Sequence, residues 1–539
     1  MHTMTRLLAI CFSIMTLLGC NETIENAKVK QHGFIYCGLG SPSTFNPQLS
    51  HGGLIVDTIG PQIFDRLLEF DPLLHVPRPS LVRRWSVSKE GTTFRFTLRP
   101  DIEFQTTSWF APTRTLNAED VAFSFQRLID PAHPFHQVSG GYYPWFTGIN
   151  FFNLVKSVTA TSEMDVEFQL YHPDITFLST LATGFSVIHS AEYAQQLLTN
   201  NTPEQIDSFP VGTGAFYLDE YQPDDLIRLK KHAKYWRGEP KMDQVIFDIS
   251  ARGTGSLAKL LRNECDVLSS PAASQIPALT QADNIQLHIQ TAMNLSYLAV
   301  NHTNPALADL RVRKAINFAI NRENILHTVY YKTGVEAKTV LPPTSWAYNK
   351  ESIQIEFNQR RAKQLLDDAG YQNGISLSLW VPSTSKPYNP SPRKTAELIQ
   401  SDLAKVGIEI QLVTAETYAR SDPNHTKAID LFLTGWVANT GDPDSFLRPI
   451  LSCDAKQAAL NSAMWCNPEF DNLLNLAREA NNMRHRKNIY IEAQKLLNDI
   501  MPIVPIAHSA QYQANDHSLQ GFTISPFGAN SFYQVSRIE

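Results

Sequence analysis

Amphipathic helices that run directly into apolar strands recur in the second half of this chain, and this alternation constrains the fold most. In one such unit the apolar residues lie on a single helical face, at Ala396, Ile399, Leu403 and Val406. Gly407 then ends the helix, and residues Ile408 to Val413 begin a strand. Helices and strands in alternation predict an α/β fold in which helices pack in layers against a sheet.

The length and charge of the chain limit both its architecture and its partners. With 539 residues it exceeds what one hydrophobic core usually organises, so two or three domains are expected. Its formal net charge of −6 favours neither nucleic acid nor an anionic membrane surface, since both attract basic patches. We interpret the compact basic run from Arg484 to Lys487 as the solvated face of a helix. We therefore expect no nucleic-acid partner.

The N-terminus predicts export from the cytoplasm. Arg6 precedes an apolar run from Leu7 to Leu18, which is too short to span a bilayer and is typical of a secretory signal peptide. The run ends Leu-Leu-Gly-Cys, which looks like a bacterial lipobox with Cys20 as the lipidated residue. The sequence thus predicts a signal peptide over residues 1–20, a polar tether over 21–32 and a lipoprotein tethered to the membrane in the periplasm. Cleavage without lipid is the alternative.

An exported chain folds where cysteines pair. Apart from the signal segment and Cys20, the chain has four cysteines, Cys37, Cys265, Cys453 and Cys466, which allow three pairings. The short spacing favours a local bridge between Cys453 and Cys466, which leaves a long-range bridge between Cys37 and Cys265. A metal site is the alternative, but no Cys-x-x-Cys motif or nearby Cys/His set supports it.

One loop has the composition of a ligand site. Residues Leu431 to Thr434 read as a strand bounded by Gly435, and a turn-rich loop of amides and carboxylates follows beside Trp436. A strand that ends in such a loop is a common element of ligand pockets. The alternative is a surface loop stabilised by the nearby Cys453–Cys466 bridge.

The sequence lacks the motifs of common catalytic sites. It contains no G-x-S-x-G, H-E-x-x-H or phosphate-loop motif and no c-type haem attachment motif. We therefore expect neither an enzyme nor a resident cofactor or metal. Non-covalent haem binding needs no motif and stays open. A large exported α/β chain without reactive groups suits a protein whose two lobes close on a solute.

Seven runs of the sequence form a pattern that is highly specific in combination. They are Leu81 to Trp85, Lys89 to Arg99, Leu116 to Val121, Pro210 to Gly214, Val312 to Ile316, Ala362 to Leu366 and Gly441 to Asp444. Together they resemble the signature of extracellular solute-binding proteins of the peptide/nickel family, over nearly all of the mature chain. The pattern is similar to periplasmic dipeptide-binding proteins. It is closer still to the binding components of Sap-type peptide uptake systems, through Arg448 to Cys453 and Trp465 to Asn467.

The resemblance implies a periplasmic-binding-protein-like fold with two lobes, a hinge and three domains. Domain I is discontinuous and comprises residues 33–65, 211–291 and 510–539, domain II comprises 66–210 and domain III comprises 292–509. The resemblance also implies the two disulfides Cys37–Cys265 and Cys453–Cys466. It implies a monomer that delivers its ligand to an inner-membrane ABC permease with ATPase subunits, and that touches the membrane itself only through a lipid anchor.

The candidate site departs from the dipeptide binders at its charged positions. Where they carry an Arg for the peptide carboxylate and an Asp for the peptide ammonium, this chain has Lys386 and Asn439. Lys lacks the planar fork of Arg, and Asn cannot neutralise a buried ammonium. Asp442 is the nearby carboxylate that could compensate, and His51 replaces a small hydroxyl residue. We therefore predict that free dipeptides bind poorly.

The predicted ligand-binding residues are His51, Lys386, Pro387, Tyr388, Trp436, Val437, Ala438, Asn439 and Asp442. The resemblance implies peptide ligands, host antimicrobial peptides among them, with haem as the alternative ligand for the same permease. A chaperone for unfolded peptides and a hydrolase are the two remaining alternatives. The lipobox departs from Sap-type proteins, which usually look like untethered periplasmic proteins.

Overall fold

The computed structural model describes Val29 and residues 32–38, 40–72, 74–250, 253–291, 293–331, 333–351, 356–414, 429–522 and 524–538. The predicted signal peptide, Cys20 and nearly all of the predicted tether lie outside these residues. No helix in the described part of the chain is long and apolar enough to cross a membrane.

Twenty strands lie in the described ranges. In chain order they are β1 Gly33–Cys37, β2 Leu68–Phe70, β3 Pro77–Pro79, β4 Val82–Val87, β5 Thr93–Leu98, β6 Val155–Ala160, β7 Asp165–Leu170, β8 Phe216–Gln222, β9 Leu226–Lys231, β10 Gln244–Asp248, β11 Val267–Ser269, β12 Ile285–Thr291, β13 Asn294–Val300, β14 Gly334–Glu336, β15 Ile375–Val381, β16 Ile408–Thr414, β17 Leu431–Val437, β18 Ile503–Asp516, β19 Leu519–Gln520 and β20 Ser536–Arg537.

The α-helices of the same ranges alternate with these strands. They are α1 Gly60–Ile63, α2 Ala118–Ile129, α3 Pro144–Gly148, α4 Phe151–Leu154, α5 Phe177–Ala182, α6 Ala191–Thr199, α7 Thr254–Leu261, α8 Ile276–Gln281, α9 Pro305–Ala308, α10 Leu310–Ala319, α11 Arg322–Thr328, α12 Gln359–Asp368, α13 Pro392–Ala404, α14 Asp444–Leu451, α15 Cys453–Gln457, α16 Pro468–Glu479 and α17 Met483–Ile500.

One twelve-stranded sheet runs through the molecule in the order β16-β15-β17-β13-β18-β11-β1-β10-β9-β8, and β12 and β14 also pair with β18. The 14-residue strand β18 belongs to both halves of this sheet. Its first residues pair with β13 and its last residues pair with β11 and β12. We call residues 32–291 with 510–538 lobe A and residues 293–509 lobe B. A separate four-stranded antiparallel sheet, β4-β5-β7-β6, lies in lobe A.

The chain passes between the lobes at two adjacent places. One lies between β12 and β13 and the other lies within β18. The two passages are joined because the Asn294 amide donates to the carbonyl of Ser509 at 3.0 Å, and the Ser509 N–H donates to Asn294 Oδ1 at 2.8 Å. Two neighbouring crossings tied by hydrogen bonds have the form of a hinge. We keep the three-domain division predicted from the sequence as a proposal.

The α/β alternation predicted from the periodicity is present. Helix α13 is followed by Gly407, whose φ of +93° is a conformation that glycine adopts without strain, and β16 begins at the next residue. The core of lobe B forms where the apolar faces of α10, α12 and α13 pack on the inner strands of the sheet, with Val312, Ile316, Ile399 and Leu403 fully buried. Asn117 and Asp120 form a capping box that begins α2.

One strand boundary predicted from the sequence is wrong. Gly435 does not end the strand that begins at Leu431, because β17 continues to Val437 and Gly435 lies opposite Ser296 of β13. The glycine is needed for packing instead, since a Cβ at this position would collide with the ring of Tyr388 and with the carbonyl of Leu295.

The structure joins Cys37 to Cys265 and Cys453 to Cys466, with Cα atoms 6.2 and 4.6 Å apart. These are the two pairs that the sequence predicts. The first bridge lies in a small core of lobe A with Ile35, Leu260 and Leu279. The second joins the first residue of α15 to the segment before α16.

Candidate functional site

The loop that follows β17 lies where the two lobes meet. Trp436, the last buried aromatic residue of the strand, donates its indole N–H to the carbonyl of Ser445 at 2.7 Å, and this bond ties the loop to α14. The buried Ala438 donates its N–H to the carbonyl of Met293 at 2.8 Å, next to the passage between the lobes. Asn439 is half-buried, and no described residue forms a hydrogen bond with its side chain.

Asp442 is committed to partners within lobe B. Arg486 of α17 donates to Asp442 Oδ2 at 2.8 Å, and the hydroxyl of Tyr490 donates to Oδ1 at 3.1 Å. Burial raises the pKa of Asp442, and the charge of Arg486 opposes that rise. Because Arg486 already neutralises this carboxylate, Asp442 does not replace the charge that the Asn439 position lacks.

The same contact corrects a second prediction. The basic run from Arg484 to Lys487 is not solvated throughout, because Arg486 is 2% exposed. Its guanidinium lies 5.3 Å from the ring of Trp346 and donates its Nε–H to the carbonyl of Ala477. A buried arginine inside an otherwise exposed basic run is explained by its acidic partner, which the run itself does not reveal.

A second buried ion-pair network lies beside the first. Asp444, the first residue of α14, contacts Arg448 one helical turn later at 3.0 Å and Arg478 of α16 at 2.7 Å. Burial alone would raise the pKa of Asp444, but the two guanidinium groups lower it below its usual value. The loop between β17 and α14 is thus held in place by charged groups that are all paired within the protein.

Arg478 also connects lobe B to lobe A. Its Nη1 atom lies 3.2 Å from Asp174 Oδ2 and donates to the carbonyl of Ile149 at 3.0 Å. The N–H of Ile175 donates to the carbonyl of Arg478 at 3.0 Å. Asp174 is itself positioned by the N–H of Thr176, which donates to its carboxylate at 2.7 Å. Through Arg478, Asp174 of lobe A is thus joined to Asp444 of lobe B.

The segment with Lys386 faces β17 from within lobe B. Lys386 and Asn389 exchange two backbone hydrogen bonds of 2.9 Å, which form a tight turn around Pro387 and Tyr388. The ring of Tyr388 lies directly over Gly435, and its carbonyl accepts a hydrogen bond from the hydroxyl of Tyr330 at 2.9 Å. Tyr388 is thereby held against the strand that carries Trp436 and Val437.

His51 is the predicted site residue in lobe A. It is exposed, and its ring centroid lies 6.0 Å from that of Tyr142. The hydroxyl of Tyr142 donates to the carbonyl of Ala458 in lobe B. His51 thus lies at an edge of the region where the lobes meet.

A small cavity lies between the lobes beside this loop. Trp145, Thr176 and Thr180 line it from lobe A, while Thr440, Asp442 and Ser445 line it from lobe B. Its volume of ≈ 20 Å³ is about the space that one water molecule needs. A larger cavity in lobe B, lined by Arg322, Glu323 and Glu336 among others, contains none of the predicted site residues.

The structure thus brings Tyr388 to β17, the strand that carries Trp436 and Val437, while His51 lies in the other lobe beside Tyr142. The sequence did not reveal Arg478 or Asp174, because each belongs to an ordinary helical or turn segment and their contact depends on the tertiary fold. No group of described residues has the composition and spacing of a metal site.

Comparison with known proteins identifies the family. Residues 76–458 match the family described as bacterial extracellular solute-binding proteins, family 5 middle. The chain belongs to this family of solute-binding proteins. It is 44% identical to the peptide transport periplasmic protein SapA of Salmonella typhimurium, over 96% of this chain and 94% of that protein. It is 36% identical to heme-binding protein A of Haemophilus influenzae, over 99% of this chain and 97% of that protein.

A solved structure has the same fold. The crystal structure of a dipeptide-binding protein from a Pseudoalteromonas species, in complex with Met-Leu, superposes with a TM-score of 0.90 at 39% identity. The match covers 94% of this chain and 100% of that chain. The two-lobed architecture expected from the sequence is therefore that of the family.

Proposed function

We propose that this protein captures peptides in the periplasm and delivers them to an inner-membrane ABC permease with its ATPase subunits. The observation that carries the proposal is the 44% identity with a peptide transport protein over nearly the whole of both chains. Likeness to a protein solved with a bound dipeptide supports it. The contacts between the lobes through Arg478 fit a cleft that closes around its ligand.

The proposed ligand contacts come from both lobes. Trp436, Asn439 and Tyr388 supply an aromatic and polar surface in lobe B, Lys386 supplies a positive charge for a peptide carboxylate, and His51 faces them from lobe A. We propose that free dipeptides bind poorly, because Asn439 carries no charge and Asp442 is paired with Arg486. Longer peptides gain backbone and side-chain contacts that do not depend on an acidic residue at position 439, and cationic antimicrobial peptides belong to this class.

Calorimetry of the mature chain, expressed from Asn21, tests the function. A dipeptide and a longer cationic peptide are titrated side by side. We expect saturable heat from the longer peptide and little from the dipeptide. Tight binding of the dipeptide would overturn the selectivity, and absence of binding by both peptides would overturn the function. ATP-dependent uptake that requires the permease distinguishes a transport protein from a chaperone.

Haem is the second candidate ligand. A relative named heme-binding protein A that matches 99% of this chain at 36% identity favours it, although identity with the peptide transport protein SapA of Salmonella typhimurium is greater, at 44%. Titration of haem into the purified protein tests this candidate. A shifted Soret band that saturates at one haem per chain supports haem binding, and an unchanged haem spectrum rejects it.

We further propose that the mature protein is a monomer tethered through lipid on Cys20. The Leu-Leu-Gly-Cys sequence at residues 17–20 supports the tether. Labelling of growing cells with radioactive palmitate tests it, with Cys20→Ser as the matched variant. Label on the native protein and none on the variant is expected, and an unlabelled native protein would mean that the signal peptide is removed without lipidation.

A further inference from the structure

Asp57 is a half-buried carboxylate that has no hydrogen-bond or ion-pair partner among the residues that the structure describes. It lies in a single wide helical turn, Ile55–Ile59, that begins four residues after His51. Its own N–H donates to the carbonyl of Gly53 at 2.8 Å, and its carbonyl accepts from the N–H of Asn530 at 3.2 Å. The backbone of Asp57 is thus fixed on both sides, which determines where the side chain can reach.

Asp57 is partly buried. Its carboxylate lies so close to Gly528 that a Cβ atom on that glycine would collide with it. In the described part of the chain, no cationic side chain pairs with it and no group donates a hydrogen bond to it. Asp65, eight residues later, is also buried but accepts hydrogen bonds from Thr213 and Trp236 at 3.0 and 2.9 Å. Burial without such compensation raises the pKa of Asp57 to about 7. An unpaired carboxylate in a partly buried position lowers the stability of the fold, so a structural role alone does not explain it.

The position of Asp57 relates it to the proposed ligand site. Gly528 follows Phe527 in the chain. The tip of the Phe527 ring lies 3.5 Å from the position that a Cβ atom on Gly441 of lobe B would occupy. Gly441 is two residues beyond Asn439. Asp57 and the Asn439 loop therefore pack against the same dipeptide, Phe527–Gly528, from opposite lobes. Asp57 therefore lies on the lobe A side of the contact between Phe527 and the loop that carries Asn439.

We propose that Asp57 is a specificity-determining residue that pairs with a protonated amine of the captured peptide, a role that Asn439 cannot fill. This inference rests on the proposed function. The amine is either the α-ammonium of the peptide or the side-chain ammonium of a lysine, since both present the same charge. A single ligand cation would satisfy the acceptor that the protein leaves unpaired.

Three peptides of equal length distinguish the sources of the amine. They are Ala-Ala-Leu-Ala-Ala with a free N-terminus, its N-acetylated form, and an N-acetylated form whose first residue is lysine. The native protein is expected to bind at least one amine-bearing peptide about 10- to 100-fold more tightly than the acetylated one, as for a charge-assisted hydrogen bond. In Asp57→Asn this preference is lost, while affinity for the acetylated peptide is retained.

The matched control is Asp101→Asn. Asp101 is an exposed lobe A residue with a positive φ of 59°, which asparagine tolerates, so the same charge is removed away from the cleft. It should preserve the preference for the amine. Equal binding of all three peptides by the native protein, or an unchanged preference in Asp57→Asn, would overturn the role of Asp57 and leave the proposed function intact. Failure of every peptide to bind any variant would overturn both.

A pH series tests the same inference without a substitution. Few titratable groups lie around Asp57. Tyr36 faces it from β1, and residues 525–530, which pack against it, carry no ionisable side chain. Asp442, in the loop that follows β17, is paired with Arg486. Burial and the charge of Asp57 hold the pKa of Tyr36 near 12, far above the range tested. Affinity for the amine-bearing peptide should therefore fall about tenfold from pH 7 to pH 5.5, as Asp57 takes up a proton. An equal fall in Asp57→Asn would assign the pH dependence to another group and contradict the proposal.

Discussion

The two walls of the cleft use their charges differently. In lobe B, Asp442 and Asp444 are each neutralised by arginines within the protein. In lobe A, Asp57 has no such partner among the described residues. The difference indicates that the carboxylates of lobe B stabilise the loop through ion pairs within the protein, whereas the carboxylate of Asp57 in lobe A is left to pair with a ligand.

Arg478→Ala should have the largest effect, because it removes a cation from the paired charges. The substitution deprives Asp174 of its cation and Asp444 of one of its two cations, all in a buried site. Loss of a buried ion-pair partner should lower the free energy of unfolding by about 3–4 kcal/mol. Denaturant unfolding measures the loss, with Arg484→Ala on the exposed start of α17 as the control. Arg484→Ala should change stability by less than about 0.5 kcal/mol, and equal effects would mean that the network contributes nothing.

Asp57→Asn should act in the opposite direction. The pKa of Asp57 is about 7 in the folded protein and lower in the unfolded chain, so folding favours the protonated form. The stability associated with this group is complete below the unfolded pKa and is lost as the pH rises through 7. Removing the charge should therefore stabilise the ligand-free protein by on the order of 2 kcal/mol at pH 8, and the gain should shrink as the pH falls toward 4. Thermal unfolding at both pH values measures it, and a loss of stability at pH 8 would mean that Asp57 has a cationic partner after all.

Asn439→Asp places a carboxylate at the position of the neutral amide in the loop that follows β17. We expect affinity for a dipeptide with a free N-terminus to increase about tenfold, since the new charge can pair with the α-ammonium. Calorimetry with the N-acetylated dipeptide is the control, because that ligand should gain nothing. If the two dipeptides gain equally, position 439 does not face the ammonium.

Asp174→Asn should have the smallest effect. Arg478 keeps its ion pair with Asp444, and the asparagine can still accept a hydrogen bond from the N–H of Thr176. We expect a loss of stability of about 1 kcal/mol together with a more open ligand-free protein, since only the contact between the lobes loses its charge. Small-angle scattering measures the opening as an increased radius of gyration. Asp101→Asn should leave the radius unchanged, and no increase in Asp174→Asn would mean that other interlobe contacts suffice for closure.

The local features of the fold could be predicted from the sequence because they depend on neighbouring residues. The helix-to-strand unit around Gly407 and the capping box at Asn117 each follow from a few adjacent side chains. The two disulfides followed from spacing within a set of four cysteines. The strand boundary at Gly435 was wrong because glycine stops some strands and, as here, admits a neighbouring ring into others.

The charge pairs of the site could not be predicted in the same way. Arg478 meets a carbonyl 329 residues away, and Arg486 was concealed in a basic run that looks solvated. Pairing of this kind is decided by the tertiary fold, which periodicity does not encode. The resemblance to a known family supplied the predicted ligand positions, but it did not show which carboxylates the protein already neutralises.

The course of β18 has a consequence for how the chain is assembled. Lobe A begins with β1, yet its sheet needs residues 510–516 of β18, and Phe532 packs against Phe34 and Tyr36. A polypeptide that emerges from its N-terminus cannot complete this lobe until its last residues have emerged as well. Lobe B, which is continuous, has no such delay. Strand β1 is therefore among the last elements to acquire all of its native neighbours, which leaves the nascent chain incompletely folded until residues 510–538 have been synthesised.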